Sequence, residues 1–323
     1  MNDVTLIVLI GLGALTLYAL FGGADFGGGV WDVLASGPRR DAQREAIAHA
    51  MGPVWETNHV WLIFVIVLLF TCFPPAFAAL SVGLYVPLTF VLIGIILRGG
   101  AFAMRSEARG AQVPREALSR IFGIASVIAP FFFGCAVGSL ASGSFDWHSP
   151  LALSIGVLAV ALCAQIAAVF LTVETNGALR EDFRLRALYA TVAAGVISAV
   201  VPAIAALTMP STFAALMART TLLDLVGTAA LGLLVLAMLW LRRFALARVL
   251  VAFETVGVLA GWYLAHAGFL IPGMMTPATA AAPAATLRTF IWIVAIGAVV
   301  LVPSLLLLFG LFKASRQTVD GPD

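Results

Sequence analysis

Three side chains that can bind or relay protons interrupt the apolar stretch GPVWETNHVWLIFV at residues 52–65: Glu56, Asn58 and His59. A fourth, Asp25, lies within FGGADFGGGVWD in the first apolar run of the chain. Carboxyl and imidazole groups take up and release protons, and an amide extends hydrogen bonds between them. A carboxylate in a membrane-spanning helix costs about 2.5–3.5 kcal/mol on insertion scales, so such acids usually face the protein interior and serve a function. We predict proton transfer as the function of these four residues.

Each candidate also has a structural interpretation. Asp25 and Glu56 would equally suit hydrogen bonds between helices, and His59 would suit a core position with its ring nitrogens satisfied. Glu254, about two turns into the eighth predicted helix, is a further proton-path candidate with the same structural alternative. Asp32 lies one heptad beyond Asp25 on the same helix face and is more typical of a solvated or arginine-paired acid.

The composition indicates a membrane protein. Of the 323 residues, 62% are hydrophobic and 11% are charged, against about 25% charged in soluble domains. The apolar runs are long enough for helical spans of about 20 residues and do not alternate as barrel strands would. The chain is therefore predicted to be all-α and polytopic, with residues 1–323 forming a single transmembrane helical domain. The N-terminus lacks the basic region of a cleavable signal peptide, so the first run is expected to be a retained span.

Nine membrane-spanning helices are expected. Hydropathy and turn residues place them at 5–34, 54–73, 79–97, 120–140, 151–173, 188–208, 222–241, 247–270 and 288–311. The loops between them are short, which excludes a separate soluble catalytic domain.

Basic residues cluster in alternate loops, beginning with Arg39 and Arg40 after the first helix and including Arg98 after the third. Only Arg219 and Arg288 fall on the other side. The positive-inside rule then predicts an external N-terminus and a cytoplasmic C-terminus, which requires an odd number of spans. Asp25, near the end of the first helix, and Glu56, near the start of the second, should lie at similar depth near the inner face.

Small and aromatic residues surround the acids. Gly27, Gly28 and Gly29 follow Asp25, and glycines let membrane helices approach closely and leave room for water. Trp55 and Trp61 flank the Glu56 motif and are predicted to pack around it or against a partner.

Histidines and cysteines lack the pattern of a metal site or of a bis-histidine haem site, and a haem bound through a single histidine stays open. His59 and His266 are predicted at opposite ends of the membrane and cannot share a haem, while His49 and His148 are expected in loops. The three cysteines are far apart in apolar runs without CxxC spacing. No metal ligand, no histidine pair for haem and no nucleic-acid partner are expected.

The two motifs together resemble subunit II of cytochrome bd-type quinol oxidases, including the cyanide-insensitive branch. FGGADFGGGVWD is followed by G-P-x-W-[acid]-x-N-x-V-W-L-I, here GPVWETNHVWLI, and the resemblance extends over the whole chain. The family's aspartate in helix one falls on Asp25, and its second acid falls on Glu56. Trp55 and Asn58 match motif positions, whereas His59 stands where relatives can have Gln.

The resemblance implies a terminal oxidase of the bacterial inner membrane. This chain would be the haem-free subunit of a heterodimer, supporting a subunit I that carries haem b and haem d and uses quinol to reduce oxygen to water. It would also supply a proton path from the cytoplasm. A small third subunit and a quinone held as a structural lipid, without assigned residues, are further expectations left open. The alternatives are a stand-alone proton-coupled secondary transporter and a purely structural subunit.

Overall fold

The computed structural model describes residues 2–107, 115–141, 143–266 and 268–317, with the side chains of 51–57, 106–107, 115, 302, 305–306 and 308–317 excepted. The described residues form twelve helices and no strand. In chain order they are α1 (Asp3–Val33), α2 (Arg40–Cys72), α3 (Pro74–Gly83), α4 (Tyr85–Glu107), α5 (Arg115–Ala141), α6 (Pro150–Glu174), α7 (Gly177–Thr208), α8 (Pro210–Leu216), α9 (Arg219–Trp240), α10 (Phe244–Ala265), α11 (Pro277–Ala280) and α12 (Ala284–Gln317).

The all-α, polytopic fold is confirmed. Within the described part of the chain, eight helices are long and apolar enough to cross a membrane, and there are nine if α2 and α3, bent by 120° at their junction, form one further span. The helices α1, α5, α6, α9 and α12 agree with the predicted ranges to within six residues at each end.

The third predicted helix, 79–97, is wrong at both ends. Residues up to Gly83 belong to α3, and α4 begins at Tyr85 and continues to Glu107. Proline within a helix removes a backbone hydrogen bond and clashes with the carbonyl four residues earlier, so Pro87 is accommodated in the first turn of a new helix. The C-terminal extension matters for function, because Arg98 lies inside α4 and not in the loop predicted for it.

Two further helices begin earlier than predicted. Helix α2 starts at Arg40 instead of residue 54, and α7 starts at Gly177 instead of residue 188. Their additional turns are polar and pack against each other. The Gln43 amide donates to Asp182 Oδ2 at 3.0 Å and accepts from Arg186 at 2.6 Å. As a consequence His49 lies on an exposed face of α2 and not in a loop.

Helix α10 ends at Ala265, before the predicted residue 270. Gly268 has a φ of +92°, a conformation that favours glycine, and a turn closed by Ile271 and Met275 follows it. The chain therefore leaves the helical path one turn before the apolar run ends.

The long helices pack in two groups. Helices α6, α7, α9 and α10 form a closed ring of four, while α1 packs against α2 and α5, and α5 packs against α4. The two groups meet where α6 contacts α1 and α5. The largest hydrophobic cluster lies in the ring of four and extends to α1 and α2.

The two ends of the helix assembly differ in charge. One, called here the arginine-rich end, carries Arg39, Arg105, Arg184 and Arg248. At the opposite end, Arg288 Nε donates to Asp3 Oδ2 at 3.1 Å. The first turns of α1 and α12 therefore lie together. The placement of either end inside or outside the cell remains a prediction.

Candidate functional site

The second half of α1 is buried on all sides. Every residue from Gly22 to Asp32 is buried, and Asp25 is 0% exposed. The glycines make this packing possible, because a Cβ on Gly27 would collide with the Cys163 carbonyl of α6 and one on Gly29 with Ser126 of α5. Gly28 is also buried. The prediction that glycines let neighbouring helices approach α1 closely agrees with these contacts.

Asp25 is paired with Arg98 of α4. Arg98 Nη2 donates to Asp25 Oδ1 at 2.5 Å and to the Asp25 backbone carbonyl at 3.1 Å. The guanidinium lies 5.2 Å from the Phe26 ring centroid and 4.8 Å from that of Phe122, so aromatic faces cover it. Arg98 is 2% exposed, which makes this a fully buried ion pair.

Two more helices contribute polar partners. Arg98 Nε donates to Ser126 Oγ of α5 at 2.9 Å, and that hydroxyl donates to the Phe122 carbonyl at 2.7 Å. From α2, Asn58 Nδ2 approaches Asp25 Oδ2 at 3.4 Å. We call Asp25, Asn58, Arg98 and Ser126 the Asp25 group. It draws one residue from each of α1, α2, α4 and α5.

A second layer repeats this arrangement towards the arginine-rich end. Asp32 is 0% exposed, and Arg105 Nη1 donates to its two carboxylate oxygens at 3.0 and 3.1 Å and to Ser119 Oγ at 3.2 Å. Phe122 lies between the layers, with the Arg105 guanidinium 5.2 Å from its ring. Asp32 is therefore arginine-paired, as predicted, and it is buried.

The two layers are related by a regular sequence offset. Aspartate, arginine and serine each recur seven residues apart, on α1 (Asp25 and Asp32), α4 (Arg98 and Arg105) and α5 (Ser126 and Ser119, in the reverse direction). A heptad returns to the same helix face about 10 Å further along the axis. We call these six residues the Asp–Arg–Ser ladder. Sequence reasoning missed both arginines, although the matching spacing on the first two helices was a usable signal.

The remaining predicted residues of the motif are only partly described. Glu56 and Trp55 lie in α2, but their side chains are outside the described residues, so the predicted approach of Glu56 to Asp25 stays a prediction. His59 is half-buried and lies within electrostatic range of Asp25. Trp61 packs on the cluster around Tyr18 and Phe26.

Glu254 belongs to a different group. It lies on α10, 8% exposed, and its Oε2 accepts from Gln165 Nε2 of α6 at 2.8 Å. The neighbouring α6 residue Cys163 packs with Tyr18 and Phe26 on the α1 side. Helix α6 therefore contributes residues near both groups, and among the described residues Glu254 forms no hydrogen bond or ion pair with the Asp25 group.

The histidines of the described chain are dispersed. His266 Nδ1 bonds the Trp262 carbonyl at 2.9 Å, and His148 pairs with Asp146 in the loop before α6. Among the described residues, no three His, Cys, Asp or Glu side chains are grouped as metal ligands would be.

These features define a polytopic, all-helical membrane protein with ionisable side chains buried between its helices. The sequence matches the family described as cytochrome bd terminal oxidase subunit II over residues 2–312. The chain belongs to that family.

Individual relatives and a solved structure agree with this assignment. The chain is 28% identical over 174 residues to cytochrome bd ubiquinol oxidase subunit 2 of Bacillus subtilis, covering 50% of this chain and 51% of the relative. It is 29% identical over 157 residues to cytochrome bd-I ubiquinol oxidase subunit 2 of Escherichia coli, covering 44% and 41%. These matches thus span about half of each relative or less. A chain of the bd oxidase from Geobacillus thermodenitrificans has the same fold, with a TM-score of 0.80, 21% identity, and coverage of 97% of this chain and 99% of that one.

Proposed function

We propose that this chain is the haem-free subunit II of a cytochrome bd-type quinol:oxygen oxidoreductase in a bacterial plasma membrane. In this role it supports assembly of a haem-bearing subunit I and supplies protons for the reduction of oxygen to water. Family membership supports the oxidase assignment. The proton-path role is supported chiefly by the buried Asp25 group. A path for protons through a helix bundle needs ionisable side chains inside the bundle, and this group provides them.

The proposed path begins at the arginine-rich end. Protons enter beside Glu56 or along the Asp–Arg–Ser ladder and reach Asp25. Asn58 and His59 provide the last hydrogen bonds of the path before the Asp25 carboxylate. Asp25 is bound to Arg98 at 2.5 Å, so its carboxylate accepts a proton only as the guanidinium moves away. Ser126 and the Phe26 and Phe122 rings contact Arg98 independently of the carboxylate, so Arg98 would keep partners when its bond to Asp25 lengthens. Arg98 would thereby control when Asp25 is protonated.

The haems and the electron chemistry are assigned to the partner. Haem b and haem d would accept electrons from quinol and reduce oxygen there, while the residues of this chain bind and move protons. The structural quinone and the small third subunit remain expectations without assigned residues.

The partner is proposed to cover α2 and α4 near the Asp25 group. These helices supply Asn58 and Arg98, so a partner beside them receives protons over the shortest distance. Their outward residues are apolar, with Ile63 of α2 59% exposed and Ile96 of α4 62% exposed. Lipid would accept a bulkier apolar side chain at these positions, whereas a packed interface would not.

The first experiment is purification of the affinity-tagged complex in mild detergent, followed by an absorption spectrum. Co-purification of a haem protein, together with loss of haem d absorbance from membranes lacking this chain, is expected. Stable isolation of the chain alone, with the haem spectrum of the membranes unchanged, would support a secondary transporter instead.

The second experiment tests the partner face. Ile63→Trp and Ile96→Trp should release the haem protein during purification. Val226→Trp, on α9 at a matched exposure of 60%, should not. Release by the α9 variant alone would place the partner on the other group of helices.

The third experiment tests the proton path by oxygen consumption. Glu56→Gln and Asp25→Asn should lower turnover in complexes that still contain the haems. Unchanged turnover in both variants would leave this chain a purely structural subunit.

A further inference from the structure

Glu254 is a buried acid without an arginine partner. Within the described residues it is in no ion pair, in contrast to Asp25 and Asp32. Its contact is the amide of Gln165, which is 0% exposed. The proposed path along the Asp–Arg–Ser ladder makes no use of this pair.

A polar line connects Glu254 to one end of the protein. It runs between α9 and α10, and we call it the α9–α10 seam, formed by Thr221, Asp224, Thr228, Gly232, Glu254, Gly257 and Gly261. The first four residues belong to α9 and the last three to α10. Within each set the spacing is three or four residues, which places the set on one face of its helix. The two sets oppose each other: a Cβ on Gly232 would lie 2.8 Å from Glu254 Oε1, and one on Gly261 would lie 2.6 Å from Asp224 Oδ2. A Cβ on Gly257 would collide with Thr228 Oγ1. The glycines thus leave space that polar oxygens occupy.

Several buried polar atoms along this line have no hydrogen-bonding partner among the described residues. They are Gln165 Oε1, Asp224 Oδ2, Thr221 Oγ1, Trp262 Nε1 and His266 Nε2. Thr221 is 1% exposed and His266 is 9% exposed. Buried polar atoms in proteins are nearly always hydrogen-bonded, and water is the ordinary partner where the protein provides none. A row of such atoms indicates a hydrated line between the helices.

The seam is open at one end and closed at the other. From Thr221 to Gly232 the helix rises about 16 Å, roughly half of a bilayer core of about 30 Å. At the end where α9 begins it reaches a pocket of about 490 Å³ lined in part by Thr212, His266 and Met274. Beyond Glu254, towards the arginine-rich end, buried apolar side chains fill the interior: Val235, Leu239, Ala247 and Val251.

We propose that the α9–α10 seam is a hydrated half-channel through which Glu254 exchanges protons with the end where α9 begins. The half-channel gives Glu254, a predicted proton-path residue, a route of its own. The proposal holds whether or not Asp25 carries protons. Among the described residues, Asp224 of α9 and His266 at the end of α10 are the other titratable groups facing the seam, and α6 contributes the uncharged Gln165. The Glu174–Arg248 pair lies beyond the apolar closure.

Hydration is tested by cysteine accessibility in membranes containing the assembled protein. Thr228→Cys lies in the seam, and Ala229→Cys, one residue away on an exposed face of α9, is the matched control. The probe is a membrane-impermeant trimethylammonium methanethiosulfonate, which reacts with thiolates in water, and the unsubstituted protein gives the background rate. Thr228→Cys should react at least tenfold faster than Ala229→Cys, and only with reagent on the side where α9 begins. Equal rates, or reaction from the arginine-rich side, would overturn the half-channel.

Proton binding is tested on the unsubstituted protein with dicyclohexylcarbodiimide, which adds to protonated carboxyl groups in apolar surroundings. Mass spectrometry should find the adduct on Glu254, formed more slowly as the pH rises. Thr228→Val, which keeps the shape of the side chain and removes its hydroxyl from the seam, should slow the labelling several-fold. Gly227→Leu on α9 should not, because nothing lies within 4 Å of a Cβ there.

Two outcomes of this labelling would overturn the proposal. Absence of the adduct would mean that Glu254 does not exchange protons. Protection by sodium ions at constant pH would identify a sodium site instead.

Discussion

Replacing Arg98 by methionine should destabilise the protein strongly. Methionine retains much of the length of the arginine side chain but leaves the Asp25 carboxylate, which is 0% exposed, without its cation. Removing one partner of a buried ion pair costs about 3–5 kcal/mol, because the other charge remains in a low-dielectric interior. The lost bond to Ser126, about 1.5–3 kcal/mol for a hydrogen bond to a charged group, overlaps with that figure and is not added to it. We expect the free energy of unfolding to fall by about 3–5 kcal/mol.

Removing the Asp25 charge together with that of Arg98 should restore part of the lost stability. In Asp25→Asn with Arg98→Met, no charge remains in the Asp25 group, and the amide introduced at position 25 would still face Asn58. Because a buried pair replaced by neutral side chains is often close to neutral in stability, the double variant should be more stable than Arg98→Met alone. The cost of Arg98→Met should also decrease as the pH is lowered, because protonation of Asp25 removes the unpaired charge.

The measurement is a denaturant titration of the purified complex in detergent, with the four combinations of the two positions compared. Arg39→Met is the control, since Arg39 is also 2.5 Å from its partner Asp182 but is 49% exposed, so water can replace the lost contact. If Arg98→Met is no more harmful than Arg39→Met, or if the double variant loses the sum of both single costs, the buried ion pair is not what holds these helices together.

Two further predictions concern packing and orientation. Gly27→Val should prevent accumulation of the assembled protein, because the new side chain would collide with the Cys163 carbonyl. Gly13→Val, with nothing within 4 Å of its Cβ, should accumulate normally on immunoblots of membranes. Equal accumulation of the two variants would contradict the close packing of α1 and α6. The positive-inside rule places Asp323 inside the cell and Met274 outside it. A green fluorescent protein fused after Asp323 should therefore fluoresce, and alkaline phosphatase fused after Met274 should be active. The reverse pattern would invert the predicted topology.

The sequence was sufficient to predict the burial of Asp25 and the role of its glycines. An acid among small residues in an apolar run has few places to lie except between helices. It was also sufficient for the fold class, since apolar runs of span length leave little choice of structure.

Arg98 could not be placed in the same way. Hydropathy penalises an arginine, so the sequence predicts that the third helix ends at residue 97 and that Arg98 lies in a loop. Its position depends on a tertiary contact with a residue 73 positions earlier in the chain. The ion pair with Asp25 offsets the cost of placing an arginine in a membrane-spanning helix, which is the cost that hydropathy counts. The group around Glu254 likewise depends on tertiary contacts, here between α6, α9 and α10.

The most direct test of the central claim is the oxygen consumption of the Asp25→Asn, Arg98→Met double variant in assembled complexes with intact haem absorbance. If the Asp25 carboxylate carries protons to the partner, this variant is stable but turns over far more slowly than the unsubstituted complex. If the variant assembles and consumes oxygen at the unsubstituted rate, Asp25 serves only as the counter-ion of Arg98 and the proton path does not pass through it.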